Sequence, residues 1–385
     1  MKKISVAYLM FLNFLYSLVA NFAHPVTPTF IKDLGLHDYM FGLAFACMSF
    51  TNFLFSPFWS KMSARYGANK VFSSAFIGYA LMQLCFGFST QEWQICFARL
   101  GGGIFISAIS VSQMVYVVRN SENKGKDLAL LITLNAVTAP FGFLIGGFIG
   151  DWSVVGTFII QAAGLLVTGI ISLLILGDSE TENVEFTIKE INPLNDFVRS
   201  KDLIRGFVVV FLVMVTCASF ASTCYEQCFN YYIKDQFNFP SSYNGILKAG
   251  VGFIALLANS FITMRLLKTN TFRSVTYVFA LLFSMLIGVI VLDSMVPFII
   301  VNVVFFGLNS IYLPLLQDMM TKRNKDRSNE MVGLFNAVRS IGMVVGSLFA
   351  GFIYAYGPKL SFIFSAAAFF VCIFLSIRHA KMAKA

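Results

Sequence analysis

Apolar stretches of about 18 to 24 residues recur along the whole chain, parted by short polar breaks. A helix rises 1.5 Å per residue, so each stretch is long enough to cross the ~30 Å hydrocarbon core of a bilayer. The pattern predicts twelve spans, at roughly 4–30, 38–60, 71–89, 93–117, 128–150, 154–177, 204–232, 243–264, 273–292, 295–320, 330–355 and 359–377. The longest hydrophilic stretch, 178–203, divides them six and six. The expected fold is an all-α membrane protein of twelve transmembrane helices in two parallel six-helix pseudo-repeats. An N-terminal bundle covers 1–177, a cytoplasmic linker 178–203 and a C-terminal bundle 204–385. An even number of spans per half sets both halves in the same sense across the membrane.

Composition sharpens this picture. The chain is 57% hydrophobic and 12% charged, roughly half the charge of a soluble domain. The loops leave no room for a soluble catalytic domain. A net charge of +9 could suggest a nucleic-acid partner, but its placement argues otherwise. With twelve spans both termini share one side, and Lys2, Lys3, Lys61, Arg65, Lys70, Arg119, Lys124 and Lys126 fall there, as do most later basic residues. The opposite loops hold little beyond Lys32, Lys234 and Lys359. That asymmetry predicts cytoplasmic termini. The basic excess then reports topology and some attraction to anionic membrane lipids, with no nucleic acid implied.

Met1-Lys2-Lys3 before an apolar run has the look of a signal peptide. The run continues past Pro25 and Pro28 into eleven further spans, so a retained first helix is expected. Seven cysteines (47, 85, 96, 217, 224, 228 and 372) fall in predicted spans and read as reduced packing residues. Cys224 and Cys228 share a helix face, but nothing nearby completes a metal set. No metal or cofactor is expected. An enzyme is not expected either, because His24, His37 and His379 lie far apart by topology and no Ser/His/Asp constellation is present.

The two halves share a pattern. Gly103, Gln113, Arg119 and Asn120 have the spacing of Gly307, Gln317, Arg323 and Asn324. Asn135-Ala136-Val137 matches Asn336-Ala337-Val338. Each triplet precedes small residues, Gly142, Gly146 and Gly150 in one half and Gly342, Gly346 and Gly351 in the other. Glycines at such spacing let helices approach closely, as static packing or as surfaces on which the halves rock.

Two charges stand out inside apolar spans. Glu226 lies among aromatics in the seventh span, near its outer third. An ionised group in hydrocarbon is costly, which marks it as a candidate functional residue. It could bind a proton or a cation, or it could snorkel to the headgroups or pair with Lys234. Arg99 lies in the fourth span, with no carboxylate in the first six spans to pair with. Asn13, Asn21, Gln83, Gln113 and Asn135 are its available polar partners. It could bond neutral groups only, or meet substrate and favour an anionic group there. Asn21, Gln113, Tyr225, Phe229 and Asn230 are candidate cavity residues, with the aromatics offering cation–π contacts. Asp33, Asp38, Glu92, Asp151, Asp293 and Asp318 sit at span ends, as caps, loop charges or gate contacts.

Several motifs resemble those of the major facilitator superfamily, and within it the twelve-span drug:proton antiporters of the tetracycline and quinolone efflux type. The resemblance covers nearly the whole length. Pro25-Val26-Thr27-Pro28, leading to Leu34-Gly35, looks like the P-x-x-P…L-G signature that ends the first helix in those exporters. Ser60 to Lys70 resembles the cytoplasmic G-x-x-x-D-R-x-G-R-R/K motif. Arg65, Gly67 and Lys70 remain, while Ala64 replaces the aspartate that helps lock the cytoplasmic gate in the family. Arg99 to Gly103 is similar to the R-x-x-x-G motif, whose arginine is linked to proton or substrate coupling. Ala136 to Gly147 is similar to G-x-x-x-G-P-x-x-x-G-G, with Pro140 kept and alanines for the first two glycines. Arg339, in a segment common at this place in the family, could snorkel or hold the cytoplasmic gate. Glu226 looks like the seventh-helix acid that serves proton coupling and cation binding in the quinolone exporters.

The resemblance implies a proton-coupled secondary transporter in a bacterial cytoplasmic membrane. It would work as a monomer by alternating access and export a small amphipathic or cationic molecule in exchange for protons. Uptake or flipping of a sugar, metabolite or lipid-linked molecule by the same fold is the alternative, and a non-transporting sensor or assembly partner a remoter one.

Overall fold

The computed structural model describes residues 2–177, 179, 181, 192, 201–269, 271–292, 294–323 and 328–382. Most of the 178–203 linker and Asn324 therefore lie outside the described residues. The chain is built from α1 (Lys2–Ala20), α2 (Thr27–Asp33), α3 (Met40–Tyr66), α4 (Ala68–Gly87), α5 (Glu92–Asn120), α6 (Lys124–Trp152) and α7 (Val154–Ile175). There follow α8 (Phe207–Asp235), α9 (Ser241–Leu257), α10 (Thr271–Val291), α11 (Met295–Arg323), α12 (Ser328–Tyr354) and α13 (Leu360–Met382). After α9 a π-helical segment, Ala258–Thr263, carries the eighth span on to Leu266. Eleven helices among the described residues are long and apolar enough to cross a membrane, and α1 with α2 supplies the twelfth span. Their outer faces leave large apolar side chains exposed, among them Ile132, Leu174 and Val291. Trp93, Trp152 and Tyr356 stand exposed at span ends that the order of spans puts on one side, where interfacial aromatics are favoured.

The first span departs from the sequence reading, which runs it unbroken over 4–30. Helix α1 stops at Ala20, residues 21–26 are turns, and α2 starts afresh at Thr27. Pro25 lacks an N–H and disfavours helical backbone at His24, while Pro28 falls in the first turn of α2, where its missing N–H costs nothing. Carbonyls freed by the break are capped by side chains. Gln161 Nε2 donates to Ala20 O (2.8 Å), and Asn244 Nδ2 donates to Pro25 O (2.9 Å). Within a membrane a break needs such partners, because no bulk water can supply them.

The described residues pack as two compact units. The first comprises Met1–His37, Cys47–Pro193 and Asn238–Gly252, and the second Asp38–Ala46, Leu194–Phe237 and Phe253–Ala385. In the first unit α6 lies against α1 and the turn after it, where a β-carbon added at Gly142 or Gly146 would collide with the carbonyls of Leu18 or Phe22. In the second unit α12 lies against α8 in the same way. A β-carbon at Gly342 would sit 2.5 Å from Thr216 O, and one at Gly346 2.5 Å from Phe220 O. The repeat seen in the glycines thus extends to the helices they touch.

The first turns of α3 and α9 pack by the same device. In the first unit a β-carbon on Gly147 would lie 2.7 Å from Ser241 O and 3.0 Å from Gly245 Cα. Asp151 accepts from Ser242 N (3.0 Å), and Thr29 Oγ1 bonds Ser241 Oγ (3.0 Å). In the second unit a β-carbon on Gly351 would lie 2.5 Å from Tyr39 O and 3.2 Å from Gly42 Cα. Ser347 Oγ donates to Gly42 O (2.5 Å), Tyr231 donates to Asp38 Oδ1 (2.6 Å), and Tyr39 stacks on Phe352 at 5.3 Å.

Candidate functional site

In the second unit, Glu226 sits on α8 nine residues before its end at Asp235, about 13 Å along the axis. Its side chain is partly buried. One turn earlier on the same face is Ser222, which accepts a bond from Asn309 Nδ2 of α11 (2.8 Å). Tyr312, also of α11, lies within charge-interaction range of both Glu226 and Arg339. Glu226 thus lies one turn from a polar contact between Ser222 of α8 and Asn309 of α11. Asn309 Oδ1 is buried with no hydrogen-bond partner among the described residues.

Behind this patch lies an aromatic core. Tyr225 is fully buried, its hydroxyl on Asn302 Oδ1 and its ring 4.0 Å from Phe305 and 5.4 Å from Phe306 and Phe362. Phe229 packs on Phe306 at 5.2 Å and Phe298 at 6.2 Å, and is also buried. Asn230, one turn beyond Glu226, is buried. Cys224 and Cys228 donate to backbone carbonyls of Ser361 and Pro358, as packing groups do. Ser222, Asn309 and Tyr312 were not singled out in the sequence. Their types are common in such helices, and only the facing helix shows that Asn309 meets Ser222 one turn from the acid.

In the first unit, Arg99 lies seven residues inside α5 and is 8% exposed. Nη2 donates to Thr27 Oγ1 (3.1 Å), Nη1 points at Met48 Sδ (3.7 Å), and the guanidinium lies 3.8 Å from the centre of the Phe86 ring. Its Nε–H is buried with no partner, and no carboxylate among the described residues pairs with it. The amides proposed as its partners lie elsewhere in the unit. Asn13 Nδ2 donates to Leu131 O (3.4 Å), Asn21 Nδ2 to Ser17 O (2.6 Å), and Gln83 Nε2 to Gln161 Oε1 (2.7 Å). Gln113 is buried with Nε2 unpartnered, and Asn135 Oδ1 is likewise unpartnered.

Two further polar groups meet at one aromatic ring of α6. His24 packs edge-on against Phe143 (5.7 Å), and Lys248 Nζ lies 5.3 Å from the centre of the same ring. Lys248 is a charge inside the apolar eighth span, the same signal that picks out Glu226 in the seventh. The loop asymmetry draws the eye to the ends of spans and passes over it.

In the segment from Ser60 to Lys70, Gly67 turns the chain at φ 100°, and Arg65 lies over the neighbouring Tyr66 ring at 5.5 Å. Arg119 Nη1 donates to Ala64 O (3.3 Å), so a backbone carbonyl meets an arginine at the position where the family carries its aspartate. Gly103 packs directly against α3, where a β-carbon would strike Met48 O and Thr51 Oγ1. Pro140 lies inside α6 against Gly252, with room for no β-carbon there (2.5 Å to Pro140 Cγ).

The sequence profile of the Major Facilitator Superfamily matches residues 9–329. The chain is 22% identical over 386 residues to Multidrug resistance protein 1 of Bacillus subtilis (strain 168), covering 98% of this chain and 96% of that protein. It is 22% identical over 356 residues to Quinolone resistance protein NorA of Staphylococcus aureus (strain COL), covering 91% and 89%. Among solved structures, a mutant of the nucleoside transporter NupG superposes with a TM-score of 0.82 at 10% identity, covering 97% of this chain and 99% of that one.

Proposed function

Because this chain belongs to the major facilitator superfamily, whose members are transporters and not enzymes, we propose that it is a proton-coupled secondary transporter that exports small amphipathic or cationic compounds by alternating access. The observation that carries this reading is Glu226, a partly buried carboxylate in an apolar span, one turn from the hydrogen bond between Ser222 and Asn309. Such an acid is neutralised either by a proton or by a cationic ligand, and taking one excludes the other. That exclusion is the minimum needed for exchange. The energy required is modest, since one charge moved through 100 mV supplies about 2.3 kcal/mol. The names of the multidrug and quinolone resistance relatives fit an exported amphipathic cargo.

In this reading the protein is a monomer in a bacterial cytoplasmic membrane with both termini in the cytoplasm. The bundles 1–177 and 204–385 move as the two halves of the cycle. Arg65, Gly67, Lys70 and Arg339 serve the cytoplasmic gate, and the glycines of α6 and α12 form sliding surfaces.

A second reading, uptake or flipping of a polar solute, is favoured by the first unit. There Asn13 Oδ1, Gln113 Nε2, Asn135 Oδ1 and Thr138 Oγ1 are buried without partners among the described residues, ready to bind a hydroxyl-rich molecule. Proteoliposomes given a pH gradient separate the two. Export predicts flux of lipophilic cations such as ethidium, driven by the gradient. Flux of sugars or nucleosides with no cation flux would replace export with the second reading.

A further inference from the structure

We propose that Cys47 of α3 and Cys96 of α5 form an oxidisable thiol pair in the first unit, and that joining them as a disulfide clamps the two helices and slows transport. The inference rests on the reading of the chain as a transporter, but not on its cargo, on proton exchange or on Glu226.

The pairing follows from the seam between the two helices. As the second and fourth spans, α3 and α5 run in the same direction across the membrane. Thr51 Oγ1 of α3 donates to Leu100 O of α5 (2.7 Å), which sets their register. Cys47 stands four residues before Thr51 and Cys96 four before Leu100, one turn back on the same face of each helix. Parallel helices held together at 51 and 100 therefore bring 47 opposite 96. Arg99 Nη1, pointing at Met48 Sδ (3.7 Å), belongs to the same seam. Gly103 keeps the two backbones close, since a β-carbon there would strike Met48 O and Thr51 Oγ1. A disulfide needs β-carbons about 3.5–4.5 Å apart, which only such close helices provide. The Cys47 thiol lies within charge-interaction range of Cys96.

Other cysteines are placed differently. Cys224, Cys228 and Cys372 are buried and donate to backbone carbonyls, and Cys85 is exposed on α4. Cys47 and Cys96 are both half-buried free thiols, open to a small oxidant. They lie about 10 Å and 6 Å from the starts of their helices at Met40 and Glu92. In the orientation proposed above this is the extracytoplasmic side, where disulfides persist. A fully substituted quinone or a diazene such as diamide balances the step. Both S–H bonds break, the S–S bond forms, and two electrons and two protons pass to the acceptor, which leaves as a hydroquinone or a hydrazine. Residues 38–46 pack in the second unit, and Cys47 is the first residue of α3 that packs in the first unit. A covalent bond there holds the helix where its packing partner changes, and an alternating-access cycle needs that place to give.

The test oxidises the full-length protein in proteoliposomes with diamide, blocks the remaining thiols with N-ethylmaleimide and maps them by mass spectrometry. Wild type is expected to lose two of its seven thiols, recovered as one pair of peptides joined through Cys47 and Cys96. Cys47→Ser and Cys96→Ser should each lose none, and Cys85→Ser should behave as wild type. Flux is followed with whichever probe the reduced protein carries, ethidium or uridine. It should fall at least fivefold in oxidised wild type, return with dithiothreitol, and stay unchanged by diamide in Cys96→Ser. If one serine variant does not fold, the other carries the test. A pair that stays reduced under saturating diamide, a join through other cysteines instead, or a joined pair with undiminished flux overturns the proposal. Reduced protein that carries neither probe would overturn the transporter reading and the switch with it, whereas a failed join would leave transport untouched.

Discussion

Gly67 turns the chain between α3 and α4 at φ 100°, a backbone conformation that residues with a β-carbon rarely adopt. An added β-carbon would also lie 2.9 Å from Asn69 Oδ1. Gly67→Ala is therefore expected to cost about 1 kcal/mol or more in stability, seen as a lower melting temperature in detergent. Three residues earlier, Ala64 offers only its carbonyl to Arg119. Ala64→Asp would place a carboxylate near that guanidinium, and a rise in melting temperature that fades in high salt is the expected result. Charges inside spans were the most legible residues of the site, because hydrocarbon tolerates so few. Glu226 and Arg99 are visible for that reason, and Lys248 obeys the same rule. Ser222, Asn309 and Tyr312 are invisible to it, since neutral polar groups are common in membrane helices and acquire meaning only from the helix opposite.

Helices in this protein approach one another through glycine, and the spacing shows it. Gly142 admits the backbone of α1, Gly146 that of the turn just after it, and Gly342 and Gly346 that of α8. Without a hydrophobic drive between apolar helices, this close contact is the main source of their affinity. Gly146→Leu and Gly346→Leu should each destabilise the protein by about 1 to 3 kcal/mol. Gly125→Leu, where nothing lies within 4 Å, should leave the melting temperature unchanged. Equal melting of all three would remove the packing argument. The glycine pattern was legible because a backbone contact admits only one residue type. The break after Ala20 was not, because prolines near a helix end fit a bend, a cap or a full stop equally well. What decides is the partner for each freed carbonyl, and Gln161 and Asn244 come from distant parts of the sequence.

At the scale of the molecule, length and hydropathy alone set the number of spans, since a bilayer imposes one thickness on every crossing. The duplication was legible in matched motifs, and the matching contacts of α6 on α1 and α12 on α8 extend it. The membership of the first turns of α3 and α9 was not legible, because no local pattern records which distant helix a turn will touch. Orientation is predicted from the basic loops. A fluorescent protein fused at the C-terminal end should fluoresce, and alkaline phosphatase fused there should be inactive. The central claim is that Glu226 exchanges a proton for cargo. The direct measurement uses proteoliposomes that enclose a pH-sensitive dye under an imposed pH gradient, with a panel of lipophilic cations added outside. In wild type at least one cation should drive proton movement, and Glu226→Gln, reconstituted at equal density, should show none. Proton movement that persists undiminished in Glu226→Gln, or its absence from wild type with every cation in the panel, would contradict the account.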